Sequence, residues 1–121
     1  MRPEDTMPTD QTEATLRNHL HAFFHKNIDG VVADYAEEAV LIVQRGPLHG
    51  IAEIRTFFAR FVENMPAGFL DAFKLRRQEV VGEMGYIVWD AGPWVQFATD
   101  TFVVRDGKIR SQTFAAYPAP Q

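Results

Sequence analysis

The hydrophobic pattern of this chain changes period once, and that change constrains the fold more than any other feature. Up to about residue 65 the apolar side chains mostly recur every three to four residues; beyond it they tend to alternate. Leu16, His19, Leu20, Phe23 and Phe24 form the first helical stripe. Asp10 followed by Glu13 has the spacing of a helix cap, which predicts a helix running from there to about Lys26. Asn27-Ile28-Asp29-Gly30 breaks it. A short second helix is expected over 30–37, with Val31, Val32, Tyr35 and Ala36 turned inward. The β-branched run at 40–43 predicts a strand ended by Arg45-Gly46-Pro47. Ile51, Ile54, Phe57, Phe58, Phe61 and Val62 then make the stripe of a third helix, stopped by Met65-Pro66-Ala67-Gly68.

The remainder predicts strands over 69–81, 84–89, 94–104 and 109–117. Gly82-Glu83, Asp90-Ala91-Gly92-Pro93 and Asp106-Gly107 separate them, and Asp-Gly is the strongest hairpin signal of the three. Helices followed by a meander imply an α+β fold: a cone of three N-terminal helices packed on a strongly curved antiparallel sheet, with room for a ligand between the layers. The 121 residues suffice for one such domain, expected over 10–121 behind a loose polar tail at 1–9.

Composition narrows the function. Lys and Arg total 12 against 16 Asp and Glu, and the basic residues are scattered, so no nucleic-acid footprint is expected. The chain has no cysteine, which excludes disulfides, thiolate chemistry and Cys-ligated zinc. No apolar run approaches the ~18 residues of a membrane span, and the first residues lack the apolar core of a secretory signal. A cytoplasmic protein with no membrane partner is the expectation. His21 and His25 have a metal-compatible spacing, but the polar face of their helix accounts for both, so no metal is expected. No nucleotide-cradling or nucleophile motif is present, and no cofactor is expected.

One residue breaks the pattern in a way that suggests chemistry. Alternation over 94–104 sends Ala98, Asp100, Phe102 and Val104 to one face, expected to be the concave one. An aspartate between alanine and phenylalanine must be hydrogen-bonded or neutral. Burial would raise its pKa, and a neutral carboxyl can donate to a developing oxyanion. The competing reading makes Asp100 an anchor for a core group such as His19.

Four stretches resemble the nuclear-transport-factor-2-like superfamily, which includes ketosteroid isomerases and SnoaL-type polyketide cyclases. They are DGVVADYAEEAV at 29–40, HGIAEIRTFF at 49–58, YIVWDAGP at 86–93 and ATDTFVVRDGKI at 98–109. The resemblance covers roughly 12–117 and implies the cone fold, but the superfamily isomerises, cyclises, dehydrates, hydrolyses or only binds. Asp100 is similar in position to the aspartic acid that ketosteroid isomerases keep protonated. His19 falls where those enzymes place an oxyanion-binding tyrosine, and Tyr35 matches a supporting tyrosine. The proton-shuttling carboxylate of that family corresponds to Val43, which cannot accept a proton, so an authentic steroid isomerase is not expected. Because Phe58 and His19 replace the usual partners of Tyr35, its hydrogen-bond network is expected to be weaker.

The expected site therefore has Asp100 and His19 as acid–base residues. Tyr35, Val43, Phe58, Trp89, Phe102, Gln112 and Phe114 are expected around a small apolar ligand. For His19 a core-edge role bonded to Asp100 or backbone stands beside the ligand role, and Trp89 and Gln112 each have a packing alternative. Trp94, Gln96, Phe97, Thr99, Thr101, Val103, Thr113 and Tyr117 are assigned to the outer sheet face. That face is too apolar for water, and the resemblance implies a homodimer through it. Three functions remain: proton-transfer chemistry on an apolar carbonyl compound, non-catalytic ligand binding, and partner binding by a cone filled with phenylalanine.

Overall fold

The meander starts at Phe73, about eight residues after the change of period near residue 65, because a short helical turn intervenes. The computed structural model describes the backbone of residues 3–119 and the side chains of 7–119. Its elements are α1 (Pro3–Phe24), α2 (Ile28–Ala33), β1 (Tyr35–Val43), β2 (Gly46–His49), α3 (Gly50–Glu63) and α4 (Phe69–Ala72). A meander follows: β3 (Phe73–Val81), β4 (Met84–Ala91), β5 (Val95–Arg105) and β6 (Lys108–Tyr117). The strands form one sheet in the order β2-β1-β6-β5-β4-β3. Neighbours run antiparallel except β1 and β6, which are parallel. Register shifts interrupt the β1–β6, β3–β4, β4–β5 and β5–β6 ladders. Such bulges bend strands and increase twist, which is how the sheet curls around the helices.

Several boundaries differ from the sequence expectation, each for a local reason. Helix α1 starts at Pro3, so Asp10 lies inside it rather than capping it; residues 1 and 2 of the expected tail lie outside the described residues. Thr9 Oγ1 accepts the Gly82 N–H at 2.9 Å, and the Thr12 hydroxyl lies 2.7 Å from the Gly82 carbonyl, fixing this end of the helix to the β3–β4 turn. Helix α2 ends four residues before 37. Asn27 Oδ1 accepts the Gly30 N–H at 3.0 Å and starts it early, while Tyr35 pairs with Ile109 and opens β1. Pairing thus overrides the helical spacing. The Arg45-Gly46-Pro47 turn leads into β2, an edge strand where the missing N–H of Pro47 is tolerated. Residues 69–72 form a single helical turn before β3 instead of strand.

The hairpin signal behaves as its chemistry requires. Asp106 and Gly107 both have positive φ, 54° and 72°, the mirror-image turn that matches strand twist. The core lies between the sheet and the helices, with Leu16, Leu41, Ile54, Phe102 and Ile109 almost fully buried. Helix α1 comes so close to β4 that a Cβ on Gly85 would sit 2.9 Å from Leu16 Cδ2. A side chain there would have to displace the Leu16 methyls.

Candidate functional site

On β5, alternation buries Ala98, Asp100, Phe102 and Val104 beneath the helices and leaves Thr99, Thr101 and Val103 on the other face. Register sets Asp100 opposite Ile87 of β4 and Phe114 of β6. The polar groups that meet it lie two residues along the same strands, on the same face. Trp89 Nε1 donates to Asp100 Oδ1 at 2.9 Å, and Gln112 Nε2 donates to Oδ2 at 2.9 Å. Behind Gln112 the Tyr35 hydroxyl donates to Gln112 Oε1. The chain Tyr35–Gln112–Asp100–Trp89 is continuous and buried. It replaces the weakened network expected around Tyr35.

Charge follows from this arrangement. Burial pushes the Asp100 carboxyl up to about 6, while the Trp89 and Gln112 donors pull it back. Both oxygens accept N–H groups, so near pH 7 Asp100 is held mainly as a carboxylate acceptor, rather than as the neutral donor expected from its apolar surroundings. Burial first, then the charges of Asp100 and Asp34, pushes the Tyr35 phenol well above its ordinary value.

His19 takes neither of its expected partners. It is buried, its ring is edge-on to Tyr35, Phe58 and Phe102 at 5.5–5.8 Å, and its Nδ1 has no hydrogen-bond partner among the described residues. Burial lowers its pKa to about 4, so it is neutral at pH 7. No hydrogen bond joins it to Asp100 among the described residues.

His19, Asp100, Phe58, Trp89, Phe102 and Phe114 do share one cavity, but its volume is only about 40 Å³. That admits a water or two and no organic ligand. Aromatic packing closes it. Trp89 stacks between Phe73 at 4.9 Å and Phe114 at 6.0 Å, and Phe57 and Phe61 meet Phe114 edge-on at 6.2 Å.

Val43 is not part of that cluster. It lines a much larger space, an open groove of about 1030 Å³ at the mouth of the cone, between the β1–β2 hairpin, α3 and the segments around Phe69 and Trp94. Phe57 and Phe61 border both the groove and the inner cavity and separate them. Sequence reasoning counted these two as core filling and missed their place at the boundary. Leu48 of the groove was missed with β2. Trp94, assigned from sequence to the outer face, instead lines the groove beside Phe69.

The outer face is apolar where expected. Phe97 and Tyr117 pair across β5 and β6 and are 54% and 66% exposed. The row Ile42, Thr113, Thr101 and Tyr86 crosses four strands without a charge. Among the described residues no helix is long and apolar enough to cross a membrane, and no three acidic or histidine side chains cluster to hold a metal.

Comparison with known proteins places this geometry. The SnoaL-like domain model matches residues 16–112. No curated protein matches the sequence. An NTF2-like protein of unknown function from Mesorhizobium loti is similar at 19% identity, over 95% of this chain and 96% of that one, with a TM-score of 0.77. A Methylobium petroleophilum protein of unknown function with a cystatin-like fold shares 15% identity, over 93% and 79% of the two chains, at a TM-score of 0.71. A de novo designed protein with a curved β-sheet superposes at a TM-score of 0.72, with 14% identity over 96% and 88%. These likenesses are of fold alone.

Proposed function

The chain belongs to the SnoaL-like domain family, and from that premise we propose that it binds a small apolar molecule in the groove at the mouth of its cone. The observation that carries this reading is the contrast in volume. The groove, at about 1030 Å³, lies at the top of the range of ~300–1,000 Å³ typical of small-molecule sites, while the inner cavity is about 40 Å³. A thermal-shift series with apolar phenols, steroid enones and cyclic ketones tests it, since a ligand that binds only the native state raises the midpoint. Leu48→Trp, which puts a bulkier ring into the groove, is expected to reduce the shift, and Asp100→Asn to keep most of it. A shift that Leu48→Trp leaves unchanged for every compound removes the groove from the reading.

A second reading, proton transfer on a carbonyl compound, is favoured by one specific observation. Asp100, with a pKa near 6, lies one phenylalanine layer from the groove, and carboxylates so tuned suit general-base work near neutral pH. Rotation of Phe57 and Phe61 would join groove and cavity. His19, neutral beside Asp100, is the partner this reading gives the carboxylate. Phe61→Ala is then expected to speed deuterium uptake from D₂O at the carbon next to a cyclic ketone's carbonyl, followed by NMR. Asp100→Asn in the same background is expected to stop it; undiminished uptake there ends the acid–base role.

The outer face supports a homodimer as part of the same proposal. Sedimentation is expected to give twice the chain mass, and Phe97→Lys to give monomer. A wild-type monomer at high concentration would leave that face without its proposed partner.

A further inference from the structure

The groove has an electrostatic feature that an apolar ligand alone does not explain. Arg55, Arg76, Arg77, Arg105 and Arg110 each hold an acidic side chain at 2.5–3.3 Å. Arg17, Arg45 and Arg60 have no such partner among the described residues, and the last two line the groove. They come from different elements, Arg45 from the β1–β2 turn and Arg60 from α3. Glu53 is the acidic side chain of the lining, and it is engaged: its Oε1 accepts the backbone N–H of His49 at 2.8 Å. The neighbouring walls are Val43, Leu48, Phe57, Phe61, Met65 and Phe69.

Two guanidinium forks beside an apolar trough are complementary to one kind of small molecule. We propose that the groove takes an organic carboxylate with an apolar body, its head received by Arg45 and Arg60 and its body laid along Leu48, Phe57 and Phe61. The inference rests on the groove being the ligand site. A planar fork matches a carboxylate in two parallel hydrogen bonds, and a guanidinium is less strongly hydrated than an ammonium. Both arginines are exposed at the rim of the groove, so their pull on a carboxylate is open to screening by salt.

Calorimetric titration with octanoate and with 1-octanol separates the two ideas, because these probes share a body and differ in the head. The wild-type protein is expected to bind octanoate about tenfold more tightly than 1-octanol. Arg45→Gln/Arg60→Gln, with its fold verified by circular dichroism, is expected to bring the two affinities together by weakening octanoate and leaving 1-octanol unchanged. Raising the salt should weaken octanoate selectively. Equal binding of both probes by the wild type overturns the carboxylate inference and leaves the groove reading standing. A preference for octanoate that survives in the double variant overturns the assignment to these arginines. Binding of neither probe overturns the inference, and if the wider thermal-shift series is also silent, the groove reading falls with it.

Discussion

Replacing Gln112 with leucine is expected to destabilise the fold by about 2–4 kcal/mol at pH 8, the scale of one lost hydrogen bond to a buried charge and one buried hydroxyl left without its acceptor. Gln112 holds two groups at once: its Nε2 donates to Asp100 Oδ2 and its Oε1 accepts from the Tyr35 hydroxyl. Leucine fills similar space and offers neither, so a buried carboxylate loses one of its two donors and a buried hydroxyl loses its acceptor. The cost should depend on pH in a defined direction. The Asp100 pKa, already raised by burial to about 6, rises further without this donor. A carboxyl whose folded pKa lies above its unfolded value loses stability as pH rises through the folded pKa. In the variant that loss continues above pH 6, so the destabilisation grows from pH 5 to pH 8. Urea denaturation at the two pH values measures it. A cost below about 1 kcal/mol that does not change with pH would show that Gln112 does not support the carboxylate.

The sequence made some of this legible, and the reasons differ by residue. Alternation in β5 placed Asp100 on the concave face because period two is a local property that burial reads directly. Asp106-Gly107 formed its turn because both positions need positive φ, a requirement carried by the residues themselves. The start of β1 was not legible. Tyr35 and Ala36 have helical spacing to Val31 and Val32, and only pairing with β6, more than 70 residues away, makes them strand. Edge strand β2 was hidden by Gly46-Pro47, which mark a turn as readily as an edge. The Gln112 and Trp89 donors to Asp100 come from flanking strands, so their convergence depends on register rather than on any spacing in one segment. The inner cavity was least legible. Its size depends on how seven phenylalanines and one tryptophan interlock, and the same residues in other rotamers would leave a different volume.

His19 and Asp100 are expected to hide each other's pH dependence, and single substitutions should reveal it. Burial lowers His19 to about 4 and raises Asp100 to about 6, from ordinary values of 6.5 and 3.8. Between pH 4 and 6 the folded protein holds a proton on Asp100 and none on His19. The unfolded chain holds one on His19 and none on Asp100, so across the pair the bound protons balance and stability from these two groups is flat. His19→Leu removes one side. Wild type gives up stability on account of His19 as pH falls from 6.5 to 4, and the variant does not. Relative to wild type it therefore gains about 3 kcal/mol over that window. Asp100→Asn acts in the opposite sense, because wild type gains stability on account of Asp100 as pH falls from 6 to 4. That variant therefore loses about 3 kcal/mol relative to wild type over the same window. Groups common to all the proteins, including Asp34 with its own pKa raised to about 6, cancel in these differences. The double variant is expected to regain the wild-type pH profile whatever its absolute stability. Chemical denaturation of the four proteins from pH 4 to pH 7 tests this. Parallel profiles for wild type and both single variants would mean that neither group changes its proton affinity on folding, which would also remove the tuned carboxylate on which the proton-transfer reading depends.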